Sequence, residues 1–162
     1  MNTPVKNSAN FAALPSAAHL GASDVPYVAF MEGLDVQLLH INIATGLWVV
    51  RTRFAPGLTL PRHQHTGEVF ALTFSGSWRY LEYPEINTAG SYLFEPAGSI
   101  HTLHTPATNR EMTEAWFAIR GANLNLDDSG AVVSVWDAKF IADTYFALCE
   151  AQGFDRPNVI FA

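Results

Sequence analysis

The stretch that decides the fold reads Gly57-Leu-Thr-Leu-Pro-Arg-His63-Gln-His65-Thr-Gly-Glu68 and resumes at Gly90-Ser-Tyr-Leu-Phe-Glu95-Pro96-Ala-Gly98-Ser-Ile-His101. Side chains alternate between the two faces of a strand, so His63 and His65 share one face. Their Cα atoms would lie roughly 6.6 Å apart, a separation from which two imidazoles can converge on one ion. A third ligand has to come from another strand. His101 supplies it, with Pro96 and Gly98 setting a tight turn just before it.

Outward from these two blocks the chain is a succession of short apolar or alternating runs, at 36–41, 47–54, 69–74, 78–83, 91–94, 112–119 and 132–136. β-branched and aromatic residues dominate them, as strands prefer. Pro56-Gly57, Ser75-Gly76, Ala89-Gly90 and Ala97-Gly98 sit between runs, where glycine can take positive φ. Such regular short spacing predicts an all-β barrel or sandwich, not βαβ units. One helix is predicted over 137–152, capped by Asp137 and stopped by Gly153, with Phe140, Ile141, Thr144, Leu148 and Ala151 as its apolar stripe. Residues 1–25 are rich in Ala, Ser, Asn and Pro without periodicity and read as an irregular N-terminal segment. The expected organisation is one domain over 1–162, with the barrel over 26–136.

A length of 162 residues suits one domain with a sizeable core. Hydrophobic residues make up 49% and charged residues 15%, and the formal net charge is −6 with no Lys/Arg cluster. That balance excludes a disordered chain and gives no basic footprint for a nucleic-acid partner. No apolar run approaches the roughly 20 residues that cross a bilayer. The first ten residues lack the basic-then-apolar order of a secretory signal. A soluble cytoplasmic protein without a membrane partner is the expectation. Cys149 is the single cysteine, so any metal must rest on imidazole and carboxylate ligands.

The two blocks resemble the paired motifs of the cupin superfamily. The first has Gly, five residues and His-x-His and closes at Gly76; the second has Gly, five residues and Pro-x-Gly-x-x-His. Within that superfamily, the stretches His63 to Tyr83 and Ala89 to His101 are similar to the group containing 2,4′-dihydroxyacetophenone dioxygenase. They are more distantly similar to acetylacetone-cleaving dioxygenase and to ChrR-type cupins. The resemblance implies a double-stranded β-helix, or jelly-roll, barrel with one divalent metal on His63, His65 and His101. It implies Fe(II) in a non-haem enzyme, with zinc or nickel as alternative occupants of the purified protein. The implied reaction splits a carbon–carbon bond beside a carbonyl with dioxygen, and the implied assembly is a homo-oligomer.

Two departures from the motifs bear on the site. Cupin motif one usually places a metal-binding Glu four residues after its second His, and here that position is Val69. Glu68 is one residue early, and a one-residue slip turns a side chain to the opposite face. A bulge at Thr66-Gly67 would return it, so Glu68 stays a candidate ligand behind the three-histidine set. The second motif ends in Thr105 where Asn is usual.

Resemblance to the diketone-cleaving enzymes also implies a supporting role for Glu95, and the residues themselves single it out. Glu95 ends the otherwise apolar strand Tyr92-Leu93-Phe94. A carboxylate on an inward face needs a partner, and Arg79 is the candidate. Glu95 and Arg79 are therefore candidate catalytic residues, Glu95 orienting an imidazole or taking a substrate proton. The competing reading is an exposed Glu at a strand end. His104 falls on the face opposite His101, and His19 and His40 have no ligand spacing. In 78–83 either Trp78, Tyr80 and Glu82 or Arg79, Leu81 and Tyr83 form the interior, and in 112–119 either Trp116 or Phe117 and Ile119.

Three neutral imidazoles leave the 2+ charge of an ion uncompensated, which favours a mono-anionic substrate such as the enolate of a hydroxyketone or β-diketone. Three ligands on one side also leave positions open for dioxygen. Two other functions stay in view: a ChrR-like zinc-binding cupin that regulates a partner protein, and an isomerase or hydrolase that uses the metal as a Lewis acid.

Overall fold

The structure is a computed structural model that describes residues 17–162. Of the expected N-terminal segment, 1–16 lie outside the described residues and 17–27 carry no helix or strand. In chain order the elements are β1 (Val28–Met31), β2 (Leu34–Asn42), β3 (Leu47–Phe54), β4 (His63–His65), β5 (Val69–Ser75), β6 (Ser77–Tyr80) and β7 (Asn87–Thr88). They continue with β8 (Tyr92–Glu95), β9 (Ile100–His101), β10 (Leu103–His104), β11 (Thr113–Arg120), β12 (Asn123–Leu126), β13 (Val132–Trp136), α1 (Ala138–Ala151) and β14 (Ile160–Phe161).

Three sheets enclose the interior. The largest runs β1-β2-β3-β11-β5-β8, with β14 alongside β2; the others run β10-β6-β7 and β13-β12-β4-β9. β11 lies between β3 and β5, antiparallel to both. Strands distant in sequence are thus neighbours, the crossing pattern of a jelly roll and not of a meander.

Alternation sets the inner face of each strand. Val36, Trp48, Val50, Phe54, Phe117 and Ile119 are buried, while Arg51 and Arg53 on β3 reach Glu114 on β11 across the outer face. Phe54 and Phe117 meet edge to face at 6.2 Å. Burying side chains of this size is worth about 2–3 kcal/mol each, so the closed wall outweighs its modest outer ion pairs. Gly76, the last residue of motif one, turns β5 into β6 at φ 71, where a Cβ would lie 2.4 Å from Thr113 Oγ1. No L side chain fits that corner.

Helix α1 begins where expected: Asp137 Oδ1 accepts the Phe140 amide at 2.7 Å, and Gly153 follows its end at φ 79. Its buried stripe differs from the predicted one. Ala138, Ile141, Ala142, Tyr145 and Cys149 face inward, and Phe140 is exposed. The two small residues let the helix pack closely, and the Tyr145 hydroxyl donates to Pro26 O at 2.6 Å. Gln152 clamps the same edge, exchanging two 3.0 Å bonds with the Ala29 backbone. Among the described residues no helix is long and apolar enough to cross a membrane.

Candidate metal centre and its chamber

Strand β4 carries His63 and His65 inward, both buried. It pairs with β9 in a register that sets His63 opposite His101. The turn before β9 is the reason His101 arrives there. Ser99 N donates to Pro96 O at 3.1 Å with Gly98 at φ 88, the positive φ that the third position of a type II turn requires. The turn is bolted to β4, Gly98 N bonding to His65 O at 2.7 Å and His65 N to Ser99 O at 3.0 Å. Backbone pairing therefore brings all three histidines to one point. Their ring centroids are 4.9, 4.9 and 5.0 Å apart, and their ligand nitrogens all lie within 4.8 Å of one another.

The donor atoms fit a divalent ion. His63 Nδ1 is held by Pro61 O at 2.9 Å, which leaves Nε2 for the centre. His65 Nδ1, His101 Nε2 and Glu95 Oε2 are buried with no hydrogen-bond partner. Glu95 Oε2 stands 2.9 Å from His65 Nε2 and 3.0 Å from His101 Nε2, so each contact calls for an imidazole N–H or a shared cation. Buried lone pairs without donors are costly, and a cation relieves that cost. Burial, reinforced by the neighbouring His65, pushes the His63 imidazole down to about 4, so it is neutral and ligand-competent at pH 7. For Glu95, burial pushes upward, but His101 and His65 outweigh it and hold the carboxyl well below the usual carboxylate range.

Strand β5 pairs with β8 in a register that places Val69 directly opposite Glu95. A carboxylate from the neighbouring strand therefore stands beside the position where motif one lacks one. The exposed strand-end reading of Glu95 is overturned, since it is 3% exposed and faces inward. Its partner also differs from the expected one. Tyr80 donates its hydroxyl to Glu95 Oε1 at 2.5 Å, and the Tyr80 ring stacks on His101 at 3.7 Å between centroids. Arg79 points the other way, because β6 turns Trp78 and Tyr80 inward. It sits across the ladder from His104.

Glu68 is exposed and lies outside the histidine cluster, because Val69 takes the inward position. The expected bulge does not return it. Gly67 serves a different purpose there: a Cβ on it would lie 2.4 Å from the Arg120 carbonyl oxygen. His104 bonds to Thr59 Oγ1 at 2.8 Å through Nδ1, away from the cluster.

A chamber opens beside the cluster. Phe30, Trp48, Phe54, Phe117, Ile119 and Trp136 give it apolar walls, and among the described residues no Lys or Arg lines it. Its polar atoms come from His63, His65, Glu95, Tyr80, Thr52, Asn123 and Asn125. Tyr80 and the two asparagines were missed from sequence. Tyr80 was one of two candidate interior faces, whereas Asn123 and Asn125 lay in a stretch not read as a strand.

Comparison with known proteins agrees with this architecture. The family model for the ChrR cupin-like domain matches residues 15–123. A solved protein of unknown function with a cupin-like fold from Ralstonia eutropha is 38% identical, at TM-score 0.84, with 92% of this chain and 96% of that one covered. Acetylacetone dioxygenase from Acinetobacter johnsonii shares the fold at 20% identity and TM-score 0.72, with 91% and 99% covered. The anti-sigma factor ChrR, solved with SigE from Rhodobacter sphaeroides, aligns at 17% identity and TM-score 0.51, over 61% of this chain and 51% of that one. No curated protein matches the chain in sequence. With its two motifs in place and the family model spanning most of its length, the chain belongs to the ChrR cupin-like domain family.

Proposed function

We propose that this protein is a non-haem Fe(II)-dependent dioxygenase that cleaves the carbon–carbon bond beside the carbonyl of an apolar hydroxyketone or β-diketone. The observation that carries the reading is the pairing of a three-histidine cluster with a chamber whose walls are mainly apolar and, among the described residues, free of Lys and Arg. Such a chamber suits a ligand whose oxygens gather at one end and whose charge is at most a single minus, neutralised at the cluster. It does not suit a phosphate or a polyanionic sugar acid.

His63, His65 and His101 would hold the ion, which supplies Lewis acidity toward the substrate oxygens and a site for dioxygen. The chain's own contribution is positional and protonic. Glu95 faces the same space, and its Oε2 is placed to take the proton released when a ketone enolises. Tyr80 fixes that carboxylate through Oε1 and steadies His101 by stacking. The apolar walls orient the substrate body and exclude bulk water. Anaerobic reconstitution with Fe(II), followed by oxygen uptake across hydroxyacetophenones and β-diketones, tests the proposal. Metal-dependent uptake with at least one of them is expected; none across the panel would count against it.

A zinc-binding regulatory role is the second reading, favoured by the family model and by the fold shared with ChrR. A stoichiometric protein partner with bound zinc and no oxygen chemistry would favour it. Self-association belongs to the same proposal. Among the described residues β8 ends its sheet, with Tyr92 and Phe94 exposed beside Leu72 and Phe74 of β5. A second copy's β8 can extend that edge about a two-fold axis. Light scattering showing a monomer would contradict it.

A further inference from the structure

Immediately after His101 the chain changes sheets. β9 pairs with β4 and β10 with β6, so Thr102 is the corner between two ladders. Its backbone N–H and C=O still need partners. Both come from the segment just past β6. Leu81 N donates to Thr102 O at 3.0 Å. The Glu82 carboxylate takes the rest: Thr102 N donates to Oε2 at 2.8 Å, and Thr102 Oγ1 donates to Oε1 at 2.8 Å. A side chain thus stands in for the strand that the corner lacks.

Glu82 takes no part in the chamber. It is exposed and lies beyond the end of β6, where alternation with Trp78 and Tyr80 no longer places it. Holding an exposed Glu in one rotamer costs side-chain entropy, and two bonds to a carboxylate offset that cost. What they secure is the third histidine. His63 is steadied through its ring by Pro61 O, and His65 through its backbone by the turn at 96–99. His101 ends a strand of two residues, so its outgoing side depends on Thr102.

We propose that Glu82 is a positioning residue that governs retention of the ion: by clamping Thr102 it keeps His101 from swinging out of the cluster. The inference rests on the metal centre and is independent of the reaction run there. An ion leaves a three-ligand site one ligand at a time, and the ligand with the weakest support leaves first. Outer supports of this kind are worth about 10- to 100-fold in metal affinity. The clamp acts through geometry. Glutamine at 82 can keep both contacts, its Oε1 accepting from Thr102 N and its amide donating to Thr102 Oγ1, whereas alanine keeps neither.

The test follows zinc release from the full zinc-loaded chain into a chromogenic chelator. Glu82→Ala is expected to release zinc at least about tenfold faster than wild type. Glu82→Gln should stay within about threefold, and Glu85→Ala, which removes an exposed carboxylate of the same loop, within about twofold. Release from Glu82→Ala at the wild-type rate would overturn the assignment. So would Glu82→Gln or Glu85→Ala releasing as fast as Glu82→Ala, since charge and not the clamp would then be the cause. Amide hydrogen exchange on wild type needs no variant to fold: Thr102 N–H should be protected like a ladder amide, and free exchange there would overturn the clamp. A wild-type chain that retains no zinc overturns the metal centre and this inference together. Zinc held with the expected order of rates, but no dioxygen consumed by the Fe(II)-loaded chain, supports Glu82 and overturns the dioxygenase reading alone.

Discussion

The two ends of the chamber are held by different forces. At the polar end, His63, His65 and His101 are fixed by the β4–β9 ladder and a turn hydrogen-bonded to β4, and Glu95 by the β5–β8 register and the Tyr80 hydroxyl. At the apolar end, Phe30 and Trp136 meet edge to face at 5.5 Å, and Phe54 and Phe117 at 6.2 Å, with shape alone holding them. Directional bonds place donor atoms to a few tenths of an ångström, whereas packing adapts when one side chain changes. Substitutions at the two ends should therefore affect chemistry and substrate choice separately.

The sharpest break in that comparison is His101→Ala. It removes a ligand that no neighbour replaces, so metal content should fall from about one per chain to near zero and activity by about 1000-fold or more. Elemental analysis and oxygen uptake read the two effects. Retained metal would show that the cluster does not hold the ion.

The second effect is on stability. In the metal-free protein, burial holds His63 at about 4 against its ordinary 6.5. Between those values the unfolded chain takes a proton that the folded chain refuses. This contribution is therefore whole above about pH 6.5 and falls by about 3 kcal/mol as pH drops toward 4. The depressed Glu95 carboxyl adds its own loss only below its ordinary 4.5. Urea unfolding at several pH values should show the slope, and His63→Asn should flatten it between pH 6.5 and 5; an unchanged slope would contradict the assignment.

Glu95→Gln keeps the shape of the polar end and removes the base, so kcat should fall by about 100-fold while metal stays bound. Arg79→Ala and Glu68→Gln change outward-facing residues and should leave both within about twofold. At the apolar end, Phe30→Ala with Trp136→Ala should raise KM by about tenfold with kcat nearly unchanged. If that pair lowers kcat as strongly as Glu95→Gln does, the two ends are not separable.

How much of this was legible in the sequence follows the same division. The polar end lies in a contiguous pair of motifs, and glycine, proline and histidine at fixed spacing leave strands and turns little freedom, so the three histidines could be named with their strands. Glu95 was found because a carboxylate in an apolar strand demands an explanation. Its true partner was not, since alternation in 78–83 cannot tell inside from outside; only the closed barrel puts Tyr80 inward and Arg79 outward. β12 escaped notice for a related reason. Its inward residues are Asn123 and Asn125 and its outward ones Leu124 and Leu126, the reverse of the usual pattern, because it faces a ligand chamber instead of a packed core. The placement of Glu95 beside Val69 depends on the β5–β8 register, which no local pattern encodes.

In the proposed reaction the cluster directs dioxygen at a carbon–carbon bond beside a carbonyl. Turnover of a hydroxyketone by the Fe(II)-loaded chain under ¹⁸O₂, with mass analysis of both fragments, tests it most directly. One labelled oxygen in each fragment and one dioxygen consumed per substrate cleaved are expected. Unlabelled fragments, or turnover that proceeds equally well under argon, would contradict it and leave the metal as a Lewis acid only.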